Sequence, residues 1–271
     1  MEYIIKEENG KKITVRMLQE RLIPLLKEID RICTKHDIQY FLSDGTCLGA
    51  VRHKGFIPWD DDIDIGMSRS EYEKFLKVLD KELSDEYVYH CYEKSKKYTV
   101  TWPAMKIRIK NTYIKEQNVL LPNKCKDCDG IFIDVFIYDH QAKHRVFDIP
   151  LRTINVLLMP FIVLFEYIHI NPIPLKVLFL FNAKFYGKLC KNSEYFGDDI
   201  TWVFNPLHPY RMKYSDVYPT TKLEFEGQMF PVPGNYHNYL VAKYGKNYIT
   251  PVKTAKDCLH IKDINLESNK K

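Results

Sequence analysis

The stretch Ser43–Asp64 reads SDGTCLGAVRHKGFIPWDDDID and holds Asp60, Asp61, Asp62 and Asp64 within five positions. Carboxylates this crowded repel one another unless a cation or solvent relieves them. In extended chain, alternate side chains point to opposite faces, so Asp62 and Asp64 share one face. Ile63 and Ile65 turn to the other, toward a core. An Asp-x-Asp pair on a strand offers oxygen ligands for a hard divalent cation. Asp60 and Asp61 fit a solvated turn ahead of that strand. Asp134 is the only charge in Gly130-Ile-Phe-Ile-Asp-Val-Phe-Ile137, an apolar strand where a carboxylate is costly unless paired or metal-bound. With Asp62 and Asp64 it would complete a two-metal site for phosphoryl transfer.

Asp44-Gly45-Thr46 follows the strand candidate ending at Leu42. A tight turn there would offer its amides and the Thr46 hydroxyl to phosphate oxygens. Gly49 and Gly55 allow close backbone approach. Arg52, Lys54, Lys106 and Arg108 are candidate phosphate partners; the plain alternative for each is a solvated surface cation. Trp59 and Tyr40 could stack a base or cage a quaternary ammonium, and Trp59 suits a core or lid position equally well. His53 reads as a structural hydrogen-bonding residue rather than a ligand. Glu226 is a candidate for supporting the site from the C-terminal part, against a surface-turn carboxylate. Cys125 and Cys128, with His140 and His144, approach a zinc-finger spacing. The strand of Asp134 runs between them and opposes that fold.

The elements that must hold these residues follow from periodicity. Apolar residues recur at helical spacing over 14–36, with Thr14 as N-cap and Pro24 as a point of kinking or breakage. A short strand at Gln39–Leu42 leads into a turn-rich Ser43–Gly49, and Asp62–Met67 alternates as a strand. Ser68-Arg69-Ser70-Glu71 has capping-box form and opens a helix to about Asp80. Tyr87–Tyr92, Ala104–Ile109 and Ile131–Ile137 are further strands. The pattern predicts an α+β (mixed α/β) fold. Leu223–Pro231 reads as a hairpin, Asn235–Tyr244 as a helix closed by Gly245, and the tail from Asp263 as frayed.

Thr153–Phe165 carries no charge, and Leu175–Phe181 is a second uncharged patch. Thirteen residues interrupted by Pro160 fall short of the roughly 20 that span a bilayer. The favoured reading is a buried helical pair in the core; the other is a monotopic surface that dips into a bilayer.

Over 271 residues, 45% hydrophobic and 28% charged, the composition excludes disordered and collagen-like chains. A formal charge of +5 suits an anionic substrate or membrane surface, and no dense basic run points to nucleic acid. Seven irregularly spaced cysteines, with no apolar signal core at the N-terminus, predict free thiols in a reducing cytoplasm, with the protein peripheral at the inner membrane face if the monotopic reading holds.

The run Gly45-Thr46-Cys47-Leu48-Gly49-Ala50-Val51-Arg52-His53-Lys54-Gly55-Phe56-Ile57-Pro58-Trp59-Asp60-Asp61-Asp62-Ile63-Asp64 resembles the signature of the LicD family, which includes bacterial phosphocholine transferases and fukutin-type proteins. Lys106-Ile107-Arg108, Ile133-Asp134-Val135-Phe136, Phe225-Glu226-Gly227, Phe230-Pro231-Val232-Pro233 and Tyr244-Gly245 extend the resemblance over most of 14–251. Asp44 and Cys47 depart from the commoner Gly-Gly-Thr and Leu-Leu-Gly. The resemblance implies a nucleotidyltransferase-like (polymerase-β-like) core sheet over 14–146, an apolar helical insertion over 147–190 and a C-terminal part, 191–262, completing the site. It implies magnesium or manganese at Asp62, Asp64 and Asp134, CDP-choline or a related CDP-linked donor, and a glycan acceptor such as teichoic acid or lipopolysaccharide. Ribitol- or glycerol-phosphate transfer, nucleotidyl transfer and a non-catalytic binding role are the alternatives.

Overall fold

The computed structural model describes residues 3–8, 10–95, 97–117, 129–202, 209–250 and 260–266. Strands β1 (Ile4–Glu8) and β2 (Lys11–Thr14) form a ribbon before helix α1 (Val15–Lys35). Leu18, Leu22, Leu25, Leu26, Ile29 and Ile32 of α1 have no exposed surface. That continuous apolar stripe drives the helix onto the sheet. Thr14 caps it, its hydroxyl accepting from the Met17 amide at 3.4 Å. Pro24 does not break it, because buried contacts flank the proline on both sides.

Next come β3 (Phe41–Leu42), α2 (Asp44–His53), β4 (Asp64–Ser68), α3 (Arg69–Glu82), β5 (Tyr87–Cys91), β6 (Met105–Ile109), β7 (Tyr113–Glu116) and β8 (Phe132–His140). Ser68 opens α3 as its spacing predicts, its Oγ accepting from the Glu71 amide. β8 is the axis of a seven-stranded mixed sheet. Along one edge it pairs in parallel with β4; along the other it pairs antiparallel with β6 and then with β9 (Tyr195–Asp198). Ile133, Val135 and Ile137 bury one face of β8.

The chain closes with β10 (Met212–Lys213), α6 (Tyr214–Val217), the hairpin β11 (Thr221–Phe225) and β12 (Gln228–Val232), α7 (Tyr236–Tyr244) and β13 (Ile261–Asn265). One core cluster joins α1, the sheet, the β11–β12 hairpin and α7. β13 pairs with β7, so residues 263–265 are a strand and not a frayed tail; Ile261 and Ile264 are buried there.

Between β8 and β9 stand α4 (Arg145–Tyr167) and α5 (Ile173–Leu189). They are not a buried core pair. Most exposed large apolar side chains of the described residues lie between Val146 and Leu189. The inward face of α4 is largely polar, whereas that of α5 is mixed. Asn155 donates to the Ile200 carbonyl at 3.0 Å, Asn182 donates to Asn155 Oδ1 at 2.9 Å, and Arg152 pairs with Asp148 at 2.9 Å. Directed bonds share the docking with two small apolar clusters, Ile162 and Phe179 with Val100, and Ala183 and Tyr186 with Ile200, while most of the pair's large apolar residues stay outward.

Candidate active site

The parallel pairing of β4 with β8 sets Asp64 opposite Asp134 in register. The chain leading into β4 is stitched from both sides. The Asp134 amide donates to the Ile63 carbonyl at 2.9 Å, and the Ser43 amide donates to the Asp64 carbonyl at 2.9 Å. The Asp64 amide donates to Thr46 Oγ1 at 2.9 Å. Thr46, which is buried, thereby accepts with its oxygen, and its own proton is left for another acceptor. Asp62 precedes the strand, whose bounds are Asp64–Ser68 rather than Asp62–Met67. Ile63 and Ile65 are fully buried, as the alternation requires.

Gly45-Thr46 does not form a tight turn. Both lie in the first turn of α2, where helix amides lack intrahelical acceptors and the dipole is positive. A Cβ on Gly45 would sit 2.9 Å from Asp60 Oδ2, so glycine lets that carboxylate approach the helix start. Asp60 and Asp61 are buried, at 9% and 3% exposure, and are not a solvated turn. Asp61 accepts from the His260 amide at 2.8 Å and the Ile261 amide at 3.0 Å. It pins β13 to the site.

The site is short of positive charge. Burial, then Asp62 and Asp61, push Asp60 well above the usual carboxylate range. Burial and Asp61 raise Asp62 to about 7. Burial, then Asp62, Asp44 and Asp134, hold Asp64 high. Asp134 is raised by burial and eased by Lys106. Buried oxygen donors that repel one another fit a hard divalent cation. Asp61, Asp62 and His260 also bring one ligand atom each within 4.8 Å of one another. His260, however, is raised to about 9 by its bond to Asp61. His260 thus stands beside the carboxylates both as a hydrogen-bond partner of Asp61 and as a further group able to hold a metal ion.

Lys106 lies opposite Asp134 on β6. It is 2% exposed, its Nζ 3.0 Å from Asp134 and 3.2 Å from Glu116. Arg108, 1% exposed, donates to the Gly130 carbonyl at 2.8 Å and lies over the Phe132 ring. Neither is a solvated cation.

The other candidates divide. Arg52 donates to the Tyr248 carbonyl at 3.4 Å and feels the charge of Asp60. Lys54 is removed from the carboxylates: it caps α2 in left-handed conformation, is largely exposed and pairs with Glu224. His53 is lowered by burial and by Arg52. Trp59 packs against the core and meets Tyr3 edge-on at 5.9 Å. Tyr40 cannot stack on a ligand, because it is buried and its hydroxyl donates to Asp30 at 2.8 Å. Glu226 accepts from the Phe56 amide at 3.2 Å and pairs with Arg16 at 2.9 Å. It fixes the loop between α2 and the acidic run, and a side chain on Gly55 would collide with it. Cys125 and Cys128 lie outside the described residues. The His140 ring is committed to the Ser193 carbonyl at 2.7 Å and stacks on Tyr214.

Sequence reasoning missed Lys243. It is buried in α7, with its Nζ 2.9 Å from Asp198 and 3.0 Å from Asp44. Burial would lower its pKa; Asp198 and Asp44 outweigh that and raise it. Tyr239, one turn earlier, accepts from the Asp44 amide at 3.0 Å. The four-residue spacing from Tyr239 to Lys243 was the available signal. Asp44, the departure from the commoner glycine, is thus anchored by α7.

Residues 37–155, which contain α2, β4 and the Asp134 strand, match the family described as LicD/FKTN/FKRP, nucleotidyltransferase domain. That segment carries the LicD-family domain. The chain is 27% identical over 274 aligned residues to the lipopolysaccharide cholinephosphotransferase LicD of Haemophilus influenzae, covering 93% of this chain and 98% of that protein. A 58-residue segment is 45% identical to an uncharacterised protein of Rickettsia typhi and 43% identical to one of Rickettsia prowazekii, covering 21% of this chain and 19% and 22% of those proteins.

Proposed function

We propose that this phosphotransferase moves phosphocholine from CDP-choline, or a related CDP-linked donor, to a sugar hydroxyl of a cell-surface glycan. The in-register placement of Asp64 beside Asp134, with Asp62 leading into the strand and Thr46 above it, carries the reading. We take the mixed sheet around β8 as a nucleotidyltransferase-type core on the same grounds. Similarity to a lipopolysaccharide cholinephosphotransferase along almost the whole chain favours choline and a glycan acceptor.

Magnesium or manganese, held by Asp62, Asp64 and Asp134, would neutralise charge on the diphosphate and on the departing CMP. The chain's own groups bind and orient. The α2 N-terminus faces an anion with its first amides, and Thr46 donates its hydroxyl proton to a phosphate oxygen. Arg52 adds positive charge at the Asp60 side. Trp59, next to Asp60, is the aromatic we assign to the quaternary ammonium. Asp134 accepts the proton of the acceptor hydroxyl as its oxygen bonds to the phosphocholine phosphorus. The phosphorus–oxygen bond to CMP breaks in the same displacement. Lys106 holds Asp134 in place. The buried thiols Cys33, Cys47, Cys91 and Cys190 are unpaired and suit a cytoplasmic enzyme.

The test is purified protein with CDP-choline, CDP-ribitol or CTP, with and without each metal. CMP release and phosphocholine on the acceptor support the reading. CMP from CDP-ribitol alone changes the donor, and pyrophosphate from CTP replaces the reading with nucleotidyl transfer. No metal-dependent turnover with any donor would leave a binding protein.

A further inference from the structure

The α4–α5 pair carries its apolar residues on the outside. Val146, Leu157, Phe161, Leu164, Val177 and Phe181 are each 55% to 67% exposed. A contiguous apolar face of this kind marks a contact with something other than water. The charges say what it contacts. The two acids of the hairpin, Asp148 and Glu166, are buried and paired with Arg152 and Lys176. Its exposed charges are basic: Lys143, Arg145, Lys184, Lys188 and Lys191. Lys184 leans toward Glu93 at 3.8 Å.

The helices run antiparallel, since Glu166 meets Lys176 near the tip and Asp148 meets Tyr186 near the base. The five cations therefore gather at the base, where α4 begins and α5 ends. Tyr167, Ile168, Ile170 and Ile173 form an exposed apolar tip. An apolar face with a mostly basic collar, beside which the exposed Glu194 leans toward Lys213 at 3.7 Å, complements an anionic bilayer. A second copy would leave the basic collar without a complementary anion, since the hairpin's own acids are buried and paired.

The depth is limited. α4 is long and apolar enough to cross a bilayer, but its uncharged run, Thr153–Phe165, is shorter than the roughly 20 residues a span needs. Asn155 ties α4 to Ile200 of the protein body. We propose that the α4–α5 hairpin seats the protein on an anionic lipid bilayer, lying in the interface rather than spanning it. The inference is independent of the reaction catalysed. It bears on that reaction only by bringing the site to lipid-anchored acceptors.

The full chain should sediment with vesicles of phosphatidylcholine containing phosphatidylglycerol and much less with phosphatidylcholine alone. Leu157→Ser with Phe161→Ser should weaken binding about tenfold or more, since each removes an apolar side chain that the bilayer would cover. Lys184→Glu, Lys188→Glu and Lys191→Glu together should weaken it and remove its salt dependence. These positions are exposed, and unchanged circular dichroism confirms the fold. In Phe161→Trp, the new indole should shift to the blue and be quenched by brominated lipid. A folded protein that ignores the vesicles overturns the proposal, as does binding unaffected by the apolar substitutions. A stable dimer that Phe161→Ser dissociates assigns the face to a second copy and also overturns it.

Discussion

The acidic site and the α4–α5 hairpin invert the usual partition of side chains in opposite senses. Around β4, carboxylates are buried: Asp60, Asp61 and Asp134 are at most 9% exposed. On the hairpin, Phe161 and Leu157 stand in solvent at 58% and 61% while Asn155 and Asn182 are covered. Both arrangements oppose the ordinary transfer free energies. Each would be relieved by a second component, the proposed cation in one case and the proposed lipid surface in the other. The lesson is that a misplaced polarity points to a ligand, and its sign points to the ligand's chemistry.

The largest expected break on the acidic side is chemical. Asp64→Ala should lower CMP release by about a thousandfold or more, on the scale of removing one charge-stabilising group, with the fold intact. Retained turnover would remove Asp64 from the mechanism. Next, Lys243→Met leaves Asp44 and Asp198 facing each other without a cation. Urea unfolding should register a loss of about 3–5 kcal/mol, as for breaking a buried pair. Third, millimolar magnesium or manganese should raise thermal stability by about 1–3 kcal/mol if the site lies well above its dissociation constant. Asp62→Asn should blunt that rise.

The smaller effects sharpen the contrast. A reference away from both regions is Glu28, drawn down to about 2 by its hydrogen bonds to Arg31 and then Ser84, against burial. A depressed carboxylate contributes stability that is complete above its unfolded value of 4.5 and lost as pH falls toward 2. Glu28→Gln should therefore cost up to about 1 kcal/mol at pH 7 and nothing near pH 2. On the hairpin, Phe161→Ser in solution should change stability by less than about 0.5 kcal/mol. A loss of several would mean that the face is covered within the fold.

Periodicity made α1, α3, α7 and the strands β3, β4, β5, β6 and β8 legible, because α1, α3 and the strand of Asp134 each write their buried face at a fixed interval. The acidic residues were legible as a set of types, and their neighbourhood was not. That Asp64 faces Asp134 depends on a parallel pairing between segments far apart in sequence. α2 was read as a turn because Gly45 and Gly49 suggest one. Asp60 and Asp61 were misjudged for a related reason: charge alone does not reveal which side chain tertiary packing encloses. The hairpin misled because an apolar run has the same composition whether it meets a core or a lipid.

The cross-strand partnership of His140 and Phe196 means that the chain leaves the sheet and returns one strand away, with the hairpin hung between. The strands that carry Asp64 and Asp134 pair with each other outside this excursion. Joining β8 to β9 by a short turn should yield a catalytic unit that diffuses freely. Grafting a different pair of helices at the same point would readdress the enzyme to another surface.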